Sequence, residues 1–282
     1  MVGPFGSRSS AMMDAMAWAD PHCHLYDDRI RPLSKALADA ATMGVGRMIA
    51  VGCDAATSQA AVDDTAEARQ LGYDVWATVG LHPHEATHGT AFLKPWLTSE
   101  NLRAHNIVAV GECGLDYYYE HSPRAVQLSV FAEQIRLAHE HNLPLVIHTR
   151  DAWDDTFAVL RSEGVPASTI FHCFTGGPGE AESCLSLGDG VALSFSGIVT
   201  FPSAEPLREA ARVTPLERLT VETDSPYLAP IPMRGKPNVP AYLPHVGAKI
   251  AEVKDVDIAE VERVTWENVA RIFRLPLVPV AK

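Results

Sequence analysis

His22 and His24 stand one residue apart after a short apolar stretch, and four more potential metal ligands recur far along the chain. Glu112 closes VAVG, His148 closes LPLVI, His172 closes STIF and Asp224 closes LTVET. Extended residues at i and i+2 point to one face of a strand, so a His-x-His at a strand end can hold a cation between two imidazoles. Packing alone would place valine or isoleucine at such positions. Repeated imidazoles and carboxylates there read as ligation and point to a metal-dependent hydrolase. Glu112 carries two oxygens and could bridge two divalent cations roughly 4 Å apart. In that arrangement His22, His24 and Asp224 complete one ion, and His148 and His172 the other. Asp224 could instead orient or deprotonate the attacking water. For Glu222, a regular strand is read as turning it to the far side, into a buried salt bridge, whereas a turn would bring it to the site; both stay open.

A second His-x-His, His82 and His84, follows strand three, and spacing alone does not decide which pair binds metal; Pro83 between them suggests a turn, which weakens the same-face argument for the second pair. His82 could be a ligand, a phosphate donor or a general acid. His88, His105, His121, His139, His141 and His245 read as solvated surface. Arg150 follows His148, and Arg234 and Lys236 lie in the loop PIPMRGKPN after strand eight. Guanidinium and ammonium groups at a metal site suit a phosphate-bearing substrate.

Eight strand-like runs must position these groups, near 17–22, 47–51, 75–80, 107–111, 144–148, 169–172, 191–196 and 219–223. Helical patterns lie near 33–44, 56–71, 90–104, 123–141, 152–163, 179–187, 204–212, 240–253 and 257–273. In the segment 123–141, Ser122 is expected as N-cap and Pro123 in the first turn, with Asn142 and Pro144 stopping the helix. Asp151 is expected to cap the next helix. Alternation of strand and helix gives an α/β protein with a parallel sheet. A doubly wound open sheet would spread the ligands along an edge. A single (β/α)8 TIM barrel gathers them at the C-terminal face of the strands, and is the fold expected.

The length, 282 residues, fits one such barrel. No linker, repeat or low-complexity segment divides it, so 17–276 is read as one hydrolase domain and 1–16 as a loose extension. The stretch 11–19 is too short and is broken by Asp14, which argues against a signal peptide. No apolar run reaches the roughly 20 residues of a membrane span. Five cysteines without a CxxC pair suit a reducing, cytoplasmic setting. Cys23, Cys113 and Cys173, beside ligand positions, read as packing residues. With 35 acidic and 23 basic residues the formal charge is −12, which excludes a broad nucleic-acid-coating surface and anionic membrane binding. Any polyanion is then gripped by few phosphates, at a single-stranded or frayed end.

DPHCHL, GLHPHE, GECGLDYY, LPLVIHTRDAWDDT, FHCFTGG and VETDSPYLAP, in that order, resemble the TatD family of metal-dependent deoxyribonucleases, over about Ala19 to Phe273. The family belongs to the amidohydrolase-like (β/α)8 barrels. The resemblance implies His22, His24, Glu112, His148, His172 and Asp224 as metal ligands, with His82 near the substrate. It also implies 3′–5′ exonuclease activity on DNA. The ligand types themselves suit two divalent ions (Mg, Mn or Zn) that would activate the attacking water, and no obligate protein partner is evident. Tyr26 stands where an acidic residue often follows the His-x-His, and Met233, Pro237 and Val239 make the last loop less basic than PHRGKRNEP, so grip on the phosphate backbone differs. The competing reading is a hydrolase of small amides, esters or lactones on the same barrel. Many such barrels bridge their metals with a carboxylated lysine, whereas strand four here offers Glu112.

Overall fold

Runs of valine, isoleucine and alanine fix the strands, and helices of mixed polarity return the chain between them. The computed structural model describes residues 18–278, so the reading of 1–16 lies outside the described residues. The chain runs β1 Trp18–Cys23, α1 Leu33–Thr42, β2 Val45–Val51, α2 Ala55–Gln70, β3 Asp74–Val79, α3 Leu93–Trp96, α4 Ser99–Ala104 and β4 Ile107–Asp116. It continues α5 Arg124–Glu140, β5 Leu145–Arg150, α6 Trp153–Glu163, β6 Thr169–Phe171, α7 Pro178–Ser186, β7 Val191–Phe195, α8 Glu205–Val213, β8 Leu219–Val221, α9 Leu243–Lys254 and α10 Ile258–Phe273.

The strands pair in parallel in the order β1 to β8. A parallel bridge between Cys23 and Ser225 brings the last strand back to the first. Asp20, on β1, reinforces this seam: its carboxylate accepts from the Thr223 backbone N–H at 3.0 Å and from the Thr223 hydroxyl at 2.5 Å. The result is the expected (β/α)8 barrel.

Alternation along the strands divides the core. Leu37, Phe131, Ile135 and Leu193 belong to the large apolar layer between strands and helices. Ile49, Val51, Val146, Ile170 and Ala192 form a second cluster with Trp266, Val269 and Phe273 of α10. That cluster lies on the inward face, because Val146 and Ile170 share their parity with His148 and His172. The barrel interior is thus apolar below and polar at the C-terminal mouth. At the opposite end Arg47 is fully buried, paired with Asp74 at 2.8 Å and stacked on Trp266.

Several local expectations are corrected. Pro123 takes the N-cap of α5 without a side-chain cap. Ser122 instead donates its hydroxyl to the His84 carbonyl at 2.7 Å, tying the segment after β3 to α5. Asp151 is exposed with φ 52°, and Ala152 holds the N-cap of α6 without a side-chain bond. The helical stretch 90–104 is two short helices, the second capped by Thr98. β4 extends to Asp116, five residues past its expected end.

Candidate metal centre

Each histidine at the mouth turns one ring nitrogen toward the centre. His22 lies in β1 and His24 just beyond it; their Nε2 atoms stand 3.8 and 3.3 Å from Asp224 Oδ1. His22 Nε2 is 3.2 Å from Glu112 Oε2. The other oxygen, Glu112 Oε1, faces His172 Nε2 at 2.7 Å, His148 Nδ1 at 3.0 Å and His82 Nε2 at 3.4 Å. His22 and His172 stack with ring centroids 3.7 Å apart. Glu112 therefore stands between two sets of donors, one oxygen toward each. Gly114 makes this packing possible: at φ 135°, any Cβ would fall 2.0 Å from the His148 carbonyl oxygen.

The second nitrogen of most rings is held from behind. His148 Nε2 is 2.9 Å from Asp116 Oδ2, and His172 Nδ1 is 3.3 Å from Glu222 Oε1. His24 Nδ1 lies 3.3 Å from the Val51 carbonyl and 3.2 Å from the Tyr26 hydroxyl. Acceptors at these nitrogens keep a ring proton there, so the inward nitrogen is the one that gives up its proton and offers a lone pair when a cation binds. His82 is built the other way. Its Nδ1 accepts the His84 backbone N–H at 3.1 Å, so in the neutral ring Nε2 carries the proton and points inward as a donor.

The charges follow from burial and neighbours. Burial opposes charge on Glu112, yet the surrounding His172, His82 and His148 hold its carboxyl well below the usual range. Burial likewise opposes a proton on His172, but Glu112 and Glu222 raise its pKa well above that of free imidazole. Burial lowers the pKa of His82 to about 4, so its ring is neutral at pH 7.

The donor set fits divalent cations. Among the described residues three groups have ligand atoms within 4.8 Å of one another: His22 with His24 and Glu112, His22 with His172 and Glu222, and His82 with Glu112 and His148, the last offering lone pairs from Glu112 and His148 beside the His82 donor. Buried His22 has no hydrogen-bond partner at either ring nitrogen. Its Nε2 and the Glu112 oxygen are close without the alignment of a hydrogen bond, as two ligands converging on a shared ion would be.

Residues 19–274 match the family described as TatD related DNase. The uncharacterized metal-dependent hydrolase YabD of Bacillus subtilis is 39% identical, over 91% of this chain and 98% of that protein. The uncharacterized metal-dependent hydrolase YcfH of Escherichia coli K12 is also 39% identical, over 92% of this chain and 97% of that protein. The crystal structure of YJJV, a TatD homologue from Escherichia coli K12, superimposes with a TM-score of 0.82 at 28% identity, covering 92% of this chain and 98% of that one. This chain belongs to the TatD-related DNase family.

In this TatD-family chain the structure brings His22, His24, Glu112, His148, His172, Asp224 and His82 to one mouth. Asp224 lies three residues beyond β8, in the left-handed region at φ 54°. The cations are placed less closely. Arg150 stacks over Tyr118, Arg234 stacks over Phe201 at 3.9 Å, and Lys236 is exposed in the last loop. Glu222 corrects the expectation that a regular strand turns it away: its carboxylate faces His172 Nδ1 at 3.3 Å and accepts the Cys173 backbone N–H at 2.6 Å. Asp116 and Cys53 are neighbours of the centre that the sequence reading does not include, and of the second His-x-His pair His82 faces Glu112 whereas His84 faces Asp116. Cys53 Sγ lies 3.6 Å from Glu112 Oε2, and His84 Nε2 lies 3.2 Å from Asp116 Oδ2. A parity count would have found the carboxylate, since Asp116 is four residues beyond Glu112 on one continuous strand. His121 is exposed as expected, but it packs edge-on against His84 at 4.6 Å.

Proposed function

We propose that this chain, a metal-dependent hydrolase of the TatD family, trims DNA from single-stranded or frayed 3′ ends in the 3′–5′ direction. The observation that carries this reading is the division of Glu112, with Oε2 toward His22 and Oε1 toward His148 and His172. His22, His24, Asp224 and Glu112 would hold one divalent cation; Glu112, His148 and His172 would hold a second. Mixed imidazole and carboxylate donors suit Zn²⁺, Mn²⁺ or Mg²⁺. Bound there, the cations supply an activated nucleophile and charge stabilisation for an in-line displacement at phosphorus.

The chain's own groups do the rest. Asp224, its carboxyl kept low by His24 and His22 against the cost of burial, takes the proton of the attacking water. His82 donates Nε2–H to a phosphoryl oxygen, as a positioned neutral donor. Arg150, Arg234 and Lys236 meet the neighbouring phosphates. The domain 17–276 carries this activity, in the cytoplasm, where five free thiols suit the redox state.

Metal-free protein titrated with Mg²⁺, Mn²⁺ and Zn²⁺, against a 5′-labelled single strand and a panel of small esters, amides and lactones, tests the reading. Stepwise shortening of the DNA is expected. Hydrolysis of the small substrates with the DNA left intact would overturn it in favour of the small-substrate hydrolase.

A further inference from the structure

Among the described residues, the exposed aromatic side chains are Tyr118, Tyr119 and Tyr227, with relative exposures of 58%, 52% and 48%. All three flank the metal centre. Tyr118 and Tyr119 follow β4, and Tyr227 follows β8. In a closed barrel ordered β1 to β8, the fourth and eighth strands face each other across the mouth. The rings therefore stand on opposite sides of the ligand cluster.

Each side is built the same way. Arg150 lies 4.0 Å from the ring centroid of Tyr118, and Arg29 lies 4.5 Å from that of Tyr227. An arginine over one face stiffens each ring; Tyr118 also meets Tyr119 edge-on at 4.8 Å, and about half the surface of Tyr118 and of Tyr227 stays open to a planar ligand. Both sides are also tied to the centre. The backbone N–H groups of Tyr118 and Tyr119 donate to Asp116 Oδ1 at 3.0 and 2.9 Å, while the other oxygen of Asp116 holds His148. The Tyr227 N–H donates to the Asp224 carbonyl at 2.9 Å, and its ring meets His24 edge-on at 6.0 Å. Tyr117, in the same run, is engaged elsewhere: its hydroxyl donates to Asp155 at 2.6 Å and Arg124 covers its ring. Half-exposed rings anchored to the ligand residues at both ends of a phosphodiester site match what unpaired nucleobases stack on.

We propose that Tyr118 and Tyr227 are two base-stacking walls that take the nucleobases on either side of the scissile phosphate. Two bases held on opposite sides of the mouth cannot stay paired in a duplex. The substrate at the centre is then an unpaired dinucleotide step, recognised by ring faces and by few charges. This inference rests on the nuclease reading above and names the subsite that reading lacks.

The test uses Tyr118→Ala, Tyr227→Ala and the two Phe counterparts in the metal-loaded protein. Substrates are a single-stranded oligonucleotide and versions with an abasic residue at the terminal or penultimate 3′ position. Stacking on aromatic side chains implies that each Ala variant raises KM roughly 5- to 100-fold with kcat little changed, and that Phe restores it. Removing one of the two bases should erase the difference between wild type and one Ala variant. A 2-aminopurine at the 3′ end should be quenched by metal-free wild type and not by the double Ala variant. Wild-type KM in both Ala variants, or an equal loss on intact and abasic strands, would overturn the stacking walls while leaving the nuclease standing. A wild-type protein that shortens no DNA would remove the nuclease reading and this inference with it.

Discussion

A ring nitrogen with an acceptor behind it and one with a donor behind it perform opposite tasks, and both occur at this mouth. His148 and His172 are backed by Asp116 and Glu222, while His82 is backed by a backbone N–H. Two substitutions should therefore fail differently. Glu112→Ala should abolish turnover and lose bound ions by metal analysis, because both donor sets share that carboxylate. His82→Ala should keep its ions and lose about 10²–10³-fold in kcat, the usual cost of one positioned donor. Full metal content in the first variant, or loss of metal in the second, would exchange their roles. Acid should weaken the metal centre. Burial opposes protons on His172 and His148, but Glu112, Glu222 and Asp116 raise both pKa values, so metal uptake displaces protons. Affinity should rise as pH is raised through these titrations, and calorimetry in buffers of different ionisation enthalpy should detect proton release. A pH-independent affinity would contradict this. At this scale the histidines stood out in the sequence because imidazole is rare at the ends of apolar runs. Their supports did not. Asp20 and Asp116 follow from parity once His22 and Glu112 are fixed, but parity needs strand lengths, and β4 is longer than its apolar run; Glu222 does not, because the chain leaves the strand geometry before Asp224.

The elements hold the centre by close backbone approach as much as by side-chain packing. A Cβ on Gly80, just after β3, would fall 2.3 Å from the Gly111 carbonyl carbon and 2.7 Å from the Glu112 nitrogen. Gly80→Ala should cost about 1–3 kcal/mol of stability through overpacking and should also weaken metal binding, because relief requires moving Glu112. Phe131→Ala, in α5 and fully buried, should cost about 3–5 kcal/mol and leave metal affinity near wild type, because its contacts lie in the outer layer. Denaturant melts paired with metal titrations separate the two; equal metal affinity in both variants would show that the strand contact does not position Glu112. All eight strands were legible, since each is a short apolar run bounded by helix punctuation. The caps were less so. Ser122 looks like an N-cap by residue type, but the His84 carbonyl competes for its hydroxyl, and that partner lies 38 positions earlier in the chain.

For the whole molecule, charge decides how a polyanion can be held. The body is formally −12, and two divalent cations at the mouth would leave it strongly negative. Contact is then confined to two or three phosphates beside Arg150, Arg234 and Lys236. Affinity for a short single strand, measured with a cation that does not support turnover, should fall with a log–log salt slope of about −1.5 to −2. A slope steeper than about −5 would mean an extended basic track. Net charge was readable from composition, but the placement of its exceptions was not: Arg150 and Arg29 lie on tyrosine rings at the mouth, a position only the closed barrel creates.

Metal-loaded protein acting on a 5′-labelled linear single strand beside the same sequence closed into a circle is the most direct test of end-trimming by a Glu112-centred metal site. Sampling over time should give a ladder that shortens one nucleotide at a time from the 3′ end, with the circle intact and the ladder absent in Glu112→Ala. Internal fragments from the circle, or shortening that survives Glu112→Ala, would contradict it.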